Sequence, residues 1–191
     1  MKKSKGLHLG LWHPDTKSLH EAIQNTNEKI AGFIPVKKDI RVLDAGCGVG
    51  GTAIYLAKNY RCQAKGITLS KLQISQGKDY IREAGLEGQV RLSLQDYTST
   101  SFTDGSFDLV YAIESICHAS EKADVYKEAF RLLKPGGKLV VIDYFSTEKG
   151  QRPENRKLLE WWLHLWAVSA LDDDYQTQKK IKADGIWFHS G

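Results

Sequence analysis

Ile40-Arg41-Val42-Leu43-Asp44-Ala45-Gly46-Cys47-Gly48-Val49-Gly50-Gly51 decides the reading of this chain. An apolar run ends in an acid, glycines recur at 46, 48 and 50, and a helical pattern opens at Thr52. That order predicts a buried strand, a tight turn in which backbone approaches a ligand closely, and a helix N-terminus directed at the same place. A unit of this kind is expected to bind an adenosine-containing cofactor.

Two cofactors compete for the loop. Gly46, Gly48 and Gly51 satisfy G-x-G-x-x-G, the spacing of an NAD or FAD site. Such a site also calls for an acid about 20 residues on, at the end of the second strand, to hold the ribose hydroxyls. Here that strand ends Lys65-Gly66-Ile67-Thr68-Leu69-Ser70, with no acid in it. The carboxylate is Asp44, ahead of the first glycine, where it repels a pyrophosphate and tolerates a cation. S-adenosylmethionine carries a sulfonium and an ammonium and has no phosphate, so it suits the loop better. An NAD-dependent oxidoreductase is the lesser alternative.

Around this loop the elements alternate. Ser18, with Glu21 three residues on, reads as a capping box opening a helix whose apolar side is Leu19, Ala22, Ile23, Thr26, Ile30 and Phe33. Thr52 to Tyr60 is a second helix with Ile54, Leu56 and Ala57 inward. A strand at Gln63 to Ile67 is followed by a helix from Ser70 to about Ala84, ended by Gly85. Further strands are expected at Val90 to Leu94, Phe107 to Ile113 and Lys138 to Tyr144, with a helix at about Ala123 to Leu133. Lys134-Pro135-Gly136-Gly137 reads as a turn. Continuously apolar strands alternating with helices imply a doubly wound, mostly parallel α/β sheet covered on both faces. Ligands in such sheets lie at the carboxyl ends of the strands, where Asp44, Thr68, Asp96, Glu114 and Asp143 all fall. A last helix, Arg152 to Ala170, has Leu158, Leu159, Trp161, Trp162, Leu163, Leu165 and Trp166 all round it, so it is expected to be buried on several sides or to face an apolar ligand.

Composition narrows the class. A chain of 191 residues, 41% hydrophobic and 26% charged, is expected to form one structural domain with an ordinary core. We divide it into an N-terminal lid segment and helix at 1–35, a cofactor-binding core at 36–150, and an apolar helix with tail at 151–191. The net charge of +4 carries no long basic block, so no nucleic-acid partner is expected. Three cysteines without ligand spacing read as reduced thiols, and the histidines share no helical face, so no metal site is expected. No stretch reads as a signal peptide or spans a bilayer, which predicts a cytoplasmic protein with no integral membrane segment.

Several motifs resemble those of class I SAM-dependent methyltransferases, in particular the sterol, tocopherol, cyclopropane-fatty-acid and natural-product small-molecule group. Val42-Leu43-Asp44-Ala45-Gly46-Cys47-Gly48 resembles the first motif, and Gly66-Ile67-Thr68-Leu69-Ser70 with Gln73 a variant of the second-strand motif. Ser106-Phe107-Asp108-Leu109-Val110 with Glu114 resembles the fourth, and Leu132 to Gly137 the turn before strand five. Tyr111 to Ala119 is similar to sterol carbon-methyltransferases, and Leu7-His8-Leu9-Gly10-Leu11-Trp12 to a segment of natural-product enzymes. The resemblance covers about residues 7 to 150.

The resemblance implies a Rossmann-like methyltransferase fold that uses S-adenosyl-L-methionine, releases S-adenosyl-L-homocysteine, and methylates oxygen or carbon of a small apolar or amphipathic metabolite. It assigns Gly46 and Gly48 to the methionine part, Thr68 and Gln73 to the ribose, Asp96 and Tyr97 to the adenine, backbone at Ile113 to the amine, and Trp12 to closing the pocket, while Asp44 reads as an electrostatic and loop-holding group of the same cofactor site. Glu114 is the leading catalytic candidate, beside a reading in which it holds the N-terminal segment or the ammonium. His118 is the second. The family's sheet ends in a sixth and seventh strand, so this chain reads as truncated before them, as a fragment or as one completed in a homodimer. A non-catalytic, regulatory SAM-binding protein is the remaining alternative.

Overall fold

A computed structural model describes residues 5–35, 39–146, 152–165, 168 and 171. The elements are α1 (Leu19–Ala31), β1 (Arg41–Ala45), α2 (Gly51–Tyr60), β2 (Gln63–Thr68), α3 (Lys71–Ala84), β3 (Val90–Leu94), β4 (Phe107–Ile113), α4 (Lys122–Leu132), β5 (Leu133–Ile142) and α5 (Arg156–Leu165). Five parallel strands lie in the order β3-β2-β1-β4-β5, so strand order reverses between β1 and β4. The expected doubly wound parallel sheet is present.

Alternation along the strands feeds two cores. Val42, Leu109 and Tyr111 pack with Ile30, Ala53 and Leu56 on the face covered by α1 and α2. Leu43, Val110 and Ala112 pack with Val125, Ala129 and Leu132 of α4 on the other. Every residue of β4 is buried, as a central strand covered on both faces must be.

Local signals worked with small shifts. The Ser18 hydroxyl accepts from the Glu21 amide, but Glu21 reaches back to the amide of Lys17, not to that of the cap residue. Leu19 is exposed and Ile54 only half-buried, so neither belongs to its helix's fully buried face. The Lys134-Pro135-Gly136-Gly137 turn lies inside β5: the strand pairs at Leu133 with Phe107, then resumes at Lys138 opposite Leu109. Gly136, at φ +75, lets those extra residues loop out of the ladder. A short 3-10 turn at Ile116–His118, which the sequence reading lacks, follows β4.

α5 has no fully buried residue. Leu159, Trp162 and Leu163 turn inward, while Leu158, Trp161 and Leu165 are exposed. Its expected continuation through Trp166 to Ala170, the acidic Asp172 to Asp174, the Lys-rich Gln178 to Lys182 and His189 lie outside the described residues, apart from Val168 and Leu171.

At the amino ends of the strands, buried Asp108 accepts from the Arg41 amide at 2.8 Å and from Lys134 Nζ at 2.9 and 3.0 Å. One carboxylate thus ties β1, β4 and β5 together. Asp108→Ala leaves an ammonium and an amide without their partner, so we expect a loss of about 2–3 kcal/mol in urea denaturation. Asp108→Asn, which keeps an acceptor for Arg41, is expected to lose less.

Candidate functional site

The glycine loop crosses the carboxyl end of β1 at the point where strand order reverses. Its fold is set by two amides, Gly46 and Cys47, that both donate to the carbonyl of Ile67 on β2, at 3.0 and 2.9 Å. Gly46 has φ +88, and a Cβ there would stand 2.4 Å from the Cβ of Ser115. No residue but glycine fits. Ser115 completes the closure by donating its hydroxyl to the carbonyl of Ala45 at 2.7 Å. α2 then begins at Gly51, and its buried Thr52 donates to Asn27 of α1 at 2.9 Å.

A cavity of about 300 Å³ opens on this loop, within the range of small-molecule sites. The structure brings to its wall Asp44, Gly46, Gly48, Thr68, Gln73, Ile113, Glu114 and His118, drawn from the ends of β1, β2 and β4 and the segments that follow them. Thr68 donates to the Gln73 side chain at 2.7 Å, which joins the end of β2 to the first turn of α3. His118 stands exposed at the rim. Asp96 and Tyr97 are not among the lining residues. The Asp96 carboxylate accepts from the amide and hydroxyl of Thr98, and the Tyr97 hydroxyl donates to the carbonyl of Ser115.

The N-terminal segment forms the roof. Gly6, Leu7 and His8 line the cavity, and the Lys5–Gly6 backbone lies so close to Gly51 that a Cβ there would meet it at 2.6 Å. The segment is strapped to α1, since the Leu11 amide donates to the Ala22 carbonyl and Asn25 donates to the Leu11 carbonyl. Trp12 is not in the lining; it is 56% exposed, and its ring nitrogen donates to the Leu9 carbonyl.

Glu114 is the hub between roof and floor. Both its carboxylate oxygens accept from the Leu9 amide, at 3.0 and 3.1 Å, and Oε2 also accepts from the Tyr144 hydroxyl at 2.8 Å. The Tyr144 ring meets Trp162 of α5 edge-on, centroids 5.2 Å apart. Glu114 has φ +47, a conformation that L residues resist, and strain of this kind collects at functional sites. Asp143 caps the turn after β4, accepting from the amides of Ser115 and Cys117 at 3.1 Å. His8 and Ser115 were not named as site residues from sequence, whereas Tyr144, at the end of strand five, reads there as able to face a substrate or to cap a loop. The resemblance of Leu7 to Trp12 to a segment of natural-product enzymes pointed to the stretch that carries His8, without singling out the histidine.

Burial dominates the electrostatics. It pushes the Asp44 carboxyl up to about 7, against one hydrogen bond from Tyr111 at 3.0 Å that pulls it down. Cys47 and Cys117 are likewise held as thiols by burial, and the Tyr144 hydroxyl is pushed up by burial and by Glu114. Among the described residues, no group of His, Cys, Asp and Glu is arranged to hold a metal ion, and no helix is long and apolar enough to cross a membrane.

Known proteins share this architecture. The methyltransferase domain family matches residues 43–141. The sterol 24-C-methyltransferase erg-4 of Neurospora crassa is 40% identical over 132 residues, 69% of this chain and 35% of that protein. Among solved structures, the [4+2]-cyclase SpnF superposes with a TM-score of 0.68 at 34% identity, covering 72% of this chain and 51% of that one. The geranyl diphosphate C-methyltransferase of Streptomyces coelicolor A3(2), solved with Mg2+, geranyl diphosphate and S-adenosyl-L-homocysteine, superposes at 0.82 with 21% identity, covering 94% and 71%. The chain spans between 32% and 63% of the length of curated relatives of this kind.

Asp44 sets a pH dependence. Its folded pKa lies above the unfolded value of about 3.9, so its contribution to stability is full below that value and is lost as pH rises through about 7. The urea midpoint of the ligand-free protein is expected to fall between pH 5 and pH 8, and Asp44→Asn to flatten that fall. An undiminished fall in the variant would assign it to other groups.

Proposed function

We infer the function from one premise: this chain belongs to the methyltransferase domain family. We propose that it binds S-adenosyl-L-methionine at the glycine loop and transfers the methyl group to oxygen or carbon of a small apolar or amphipathic metabolite. One observation carries the cofactor reading. The described residues lining the cavity include the carboxylates of Asp44 and Glu114 and no lysine or arginine. A diphosphate would meet two negative groups there with no cation to offset them, whereas a sulfonium with an ammonium is favoured by both. A positive charge beside Asp44 also holds its carboxyl ionised at neutral pH, offsetting its burial.

The donor set fits that ligand. Gly46 and Gly48 leave backbone bare beside the cavity, and Thr68 and Gln73 offer a hydroxyl and an amide suited to a ribose. When bound, the cofactor supplies a methyl group on positively charged sulfur. The chain's part is alignment, exclusion of water and, for an oxygen acceptor, removal of a proton. The strap from Gly6 to Trp12 excludes water from above, and Glu114 holds the strap. Since that carboxylate already accepts from Leu9 and Tyr144, its clamping role is the one best supported. His118, exposed at the rim, is the candidate for contact with the acceptor. A cavity of about 300 Å³ has room for one ligand, so the acceptor approaches past Tyr144 and Trp162. Those aromatic groups, with the apolar face of α5, suit an isoprenoid, sterol or phenolic body.

A second reading has its own support. The engaged state of Glu114, and a 34% identical structure described as a cyclase, favour a protein that holds the cofactor without transferring its methyl group. Incubation with labelled S-adenosylmethionine and a panel of isoprenoid, sterol, phenolic and glycosidic acceptors separates the two, since only a methyltransferase labels an acceptor.

Calorimetric titration is expected to show binding of S-adenosylhomocysteine and none of NAD; the reverse result would return the chain to the dinucleotide binders. Glu114→Ala is expected to release the strap, with faster amide exchange at Leu9 and S-adenosylhomocysteine affinity lowered about tenfold by the loss of charge-assisted hydrogen bonds. Unchanged exchange at Leu9 would show that the strap is held by other contacts.

A further inference from the structure

His8 is the misfit of the strap. Among the described residues, its two ring nitrogens are the buried side-chain polar atoms without a hydrogen-bond partner. Groups around it are engaged: the Leu9 amide is taken by Glu114, the Leu11 amide by Ala22 and Thr26, the Leu11 carbonyl by Asn25, and the Trp12 ring nitrogen by the Leu9 carbonyl. The orphaned ring thus sits in a segment held at Leu9 and Leu11 on either side of Gly10. A buried polar group left unpaired costs about 1–3 kcal/mol, which marks it as awaiting a partner from outside the chain.

The cavity wall shows which partner is missing. Thr68 and Gln73, the neutral hydroxyl and amide, lie on the β2 side; Asp44, Glu114 and His8 lie about the point where strand order reverses. A ligand with a nucleoside at one end and an amino acid at the other therefore places its charged end by the second group. That end carries a carboxylate as well as an ammonium. Asp44 and Glu114 serve the ammonium and repel the carboxylate. Of the loop amides, Gly46 and Cys47 are spent on the Ile67 carbonyl and Gly50 on the Cys47 carbonyl. The lining holds no lysine or arginine among the described residues, and of its two imidazoles His118 is exposed at the rim while His8 is inside the roof.

We propose that His8 binds the cofactor, its imidazole N–H donating to the carboxylate of the amino-acid end, so that the bound ligand fastens the strap from within as Glu114 fastens it from the side. This rests on the SAM-binding reading above. Burial keeps the ring neutral against the opposing pull of Glu114, and a neutral imidazole still has one N–H to give.

The test compares S-adenosylhomocysteine with its decarboxylated analogue, which keeps the ammonium and the nucleoside. Wild-type protein is expected to bind the parent more tightly, and the His8 ring signals in a nitrogen–proton NMR spectrum are expected to shift with the parent and not with the analogue. His8→Ala is expected to weaken the parent about tenfold, the worth of one hydrogen bond to a charged group, and to leave the analogue unchanged. His8→Gln, which retains a donor, is expected to recover part of the loss. Equal weakening of both compounds, or ring signals that ignore the parent, would overturn the assignment and make His8 a packing residue. Wild-type protein that binds neither compound would overturn the cofactor reading itself, and this inference with it.

Discussion

The contact between Gly46 and Ser115 is the constraint from which the site follows. It joins the carboxyl ends of β1 and β4, the two strands between which the sheet changes direction, with no space for even a methyl group. With the loop drawn down onto β4, its amides turn to Ile67 on the opposite side, and the bare backbone of Gly48 is left beside the cavity. A side chain at 46 would hold β1 and β4 apart at the one place where ligand-binding backbone is required. The sheet supplies the opening; this contact gives it a floor.

The roof is fastened by a relay of unlike contacts. Leu9 donates to Glu114, Tyr144 donates to the same carboxylate, and Trp162 packs edge-on against Tyr144. The N-terminal strap, β4, the end of β5 and α5 therefore meet at one acid. Its left-handed backbone is the local cost of turning the chain out of β4 while keeping that carboxylate pointed at the strap. Through that acid the cavity wall is joined directly to Tyr144 and, beyond it, to Trp162.

Much of this was legible in the residues, for identifiable reasons. Strand and helix order follow from apolar periodicity and caps, which are local, and Ser18, Ser70 and Gly85 do what their residue types dictate. The clustering of Asp44, Thr68, Gln73 and Glu114 follows from topology, since a parallel sheet brings all its carboxyl ends to one edge. What was not legible depends on contacts far apart in sequence. That Glu114 holds the N-terminal segment was one of two readings from sequence, but no spacing rule names its partner, the Leu9 amide 105 positions away. His8 is conspicuous only once its nitrogens are known to be buried and unpaired. The extended pairing of Leu133 was hidden by a Pro-Gly-Gly sequence that reads as a turn, because a turn can be looped out of a ladder without ending it. The apolar girth of α5 was read as burial on several sides or contact with an apolar ligand, and half of its described large apolar residues are exposed; periodicity records which side chains are apolar, not how many of them the rest of the chain covers.

Two buried aspartates show how the sheet divides its work. Asp108, at the amino ends, is paired with Lys134 and an amide, and its charge is neutralised within the fold. Asp44, at the carboxyl ends, is as deeply buried, and its partner is the neutral hydroxyl of Tyr111. A purely structural role would be served as well by an asparagine, which buries no charge. An acid held where burial opposes its ionisation, in a wall without lysine or arginine, is arranged for a cation that arrives with the ligand. Binding energy and fold stability then draw on the same carboxylate: ligand charge removes a penalty that the free protein carries at neutral pH. The same logic, with the sign reversed, applies to His8, a donor left without an acceptor in the roof above.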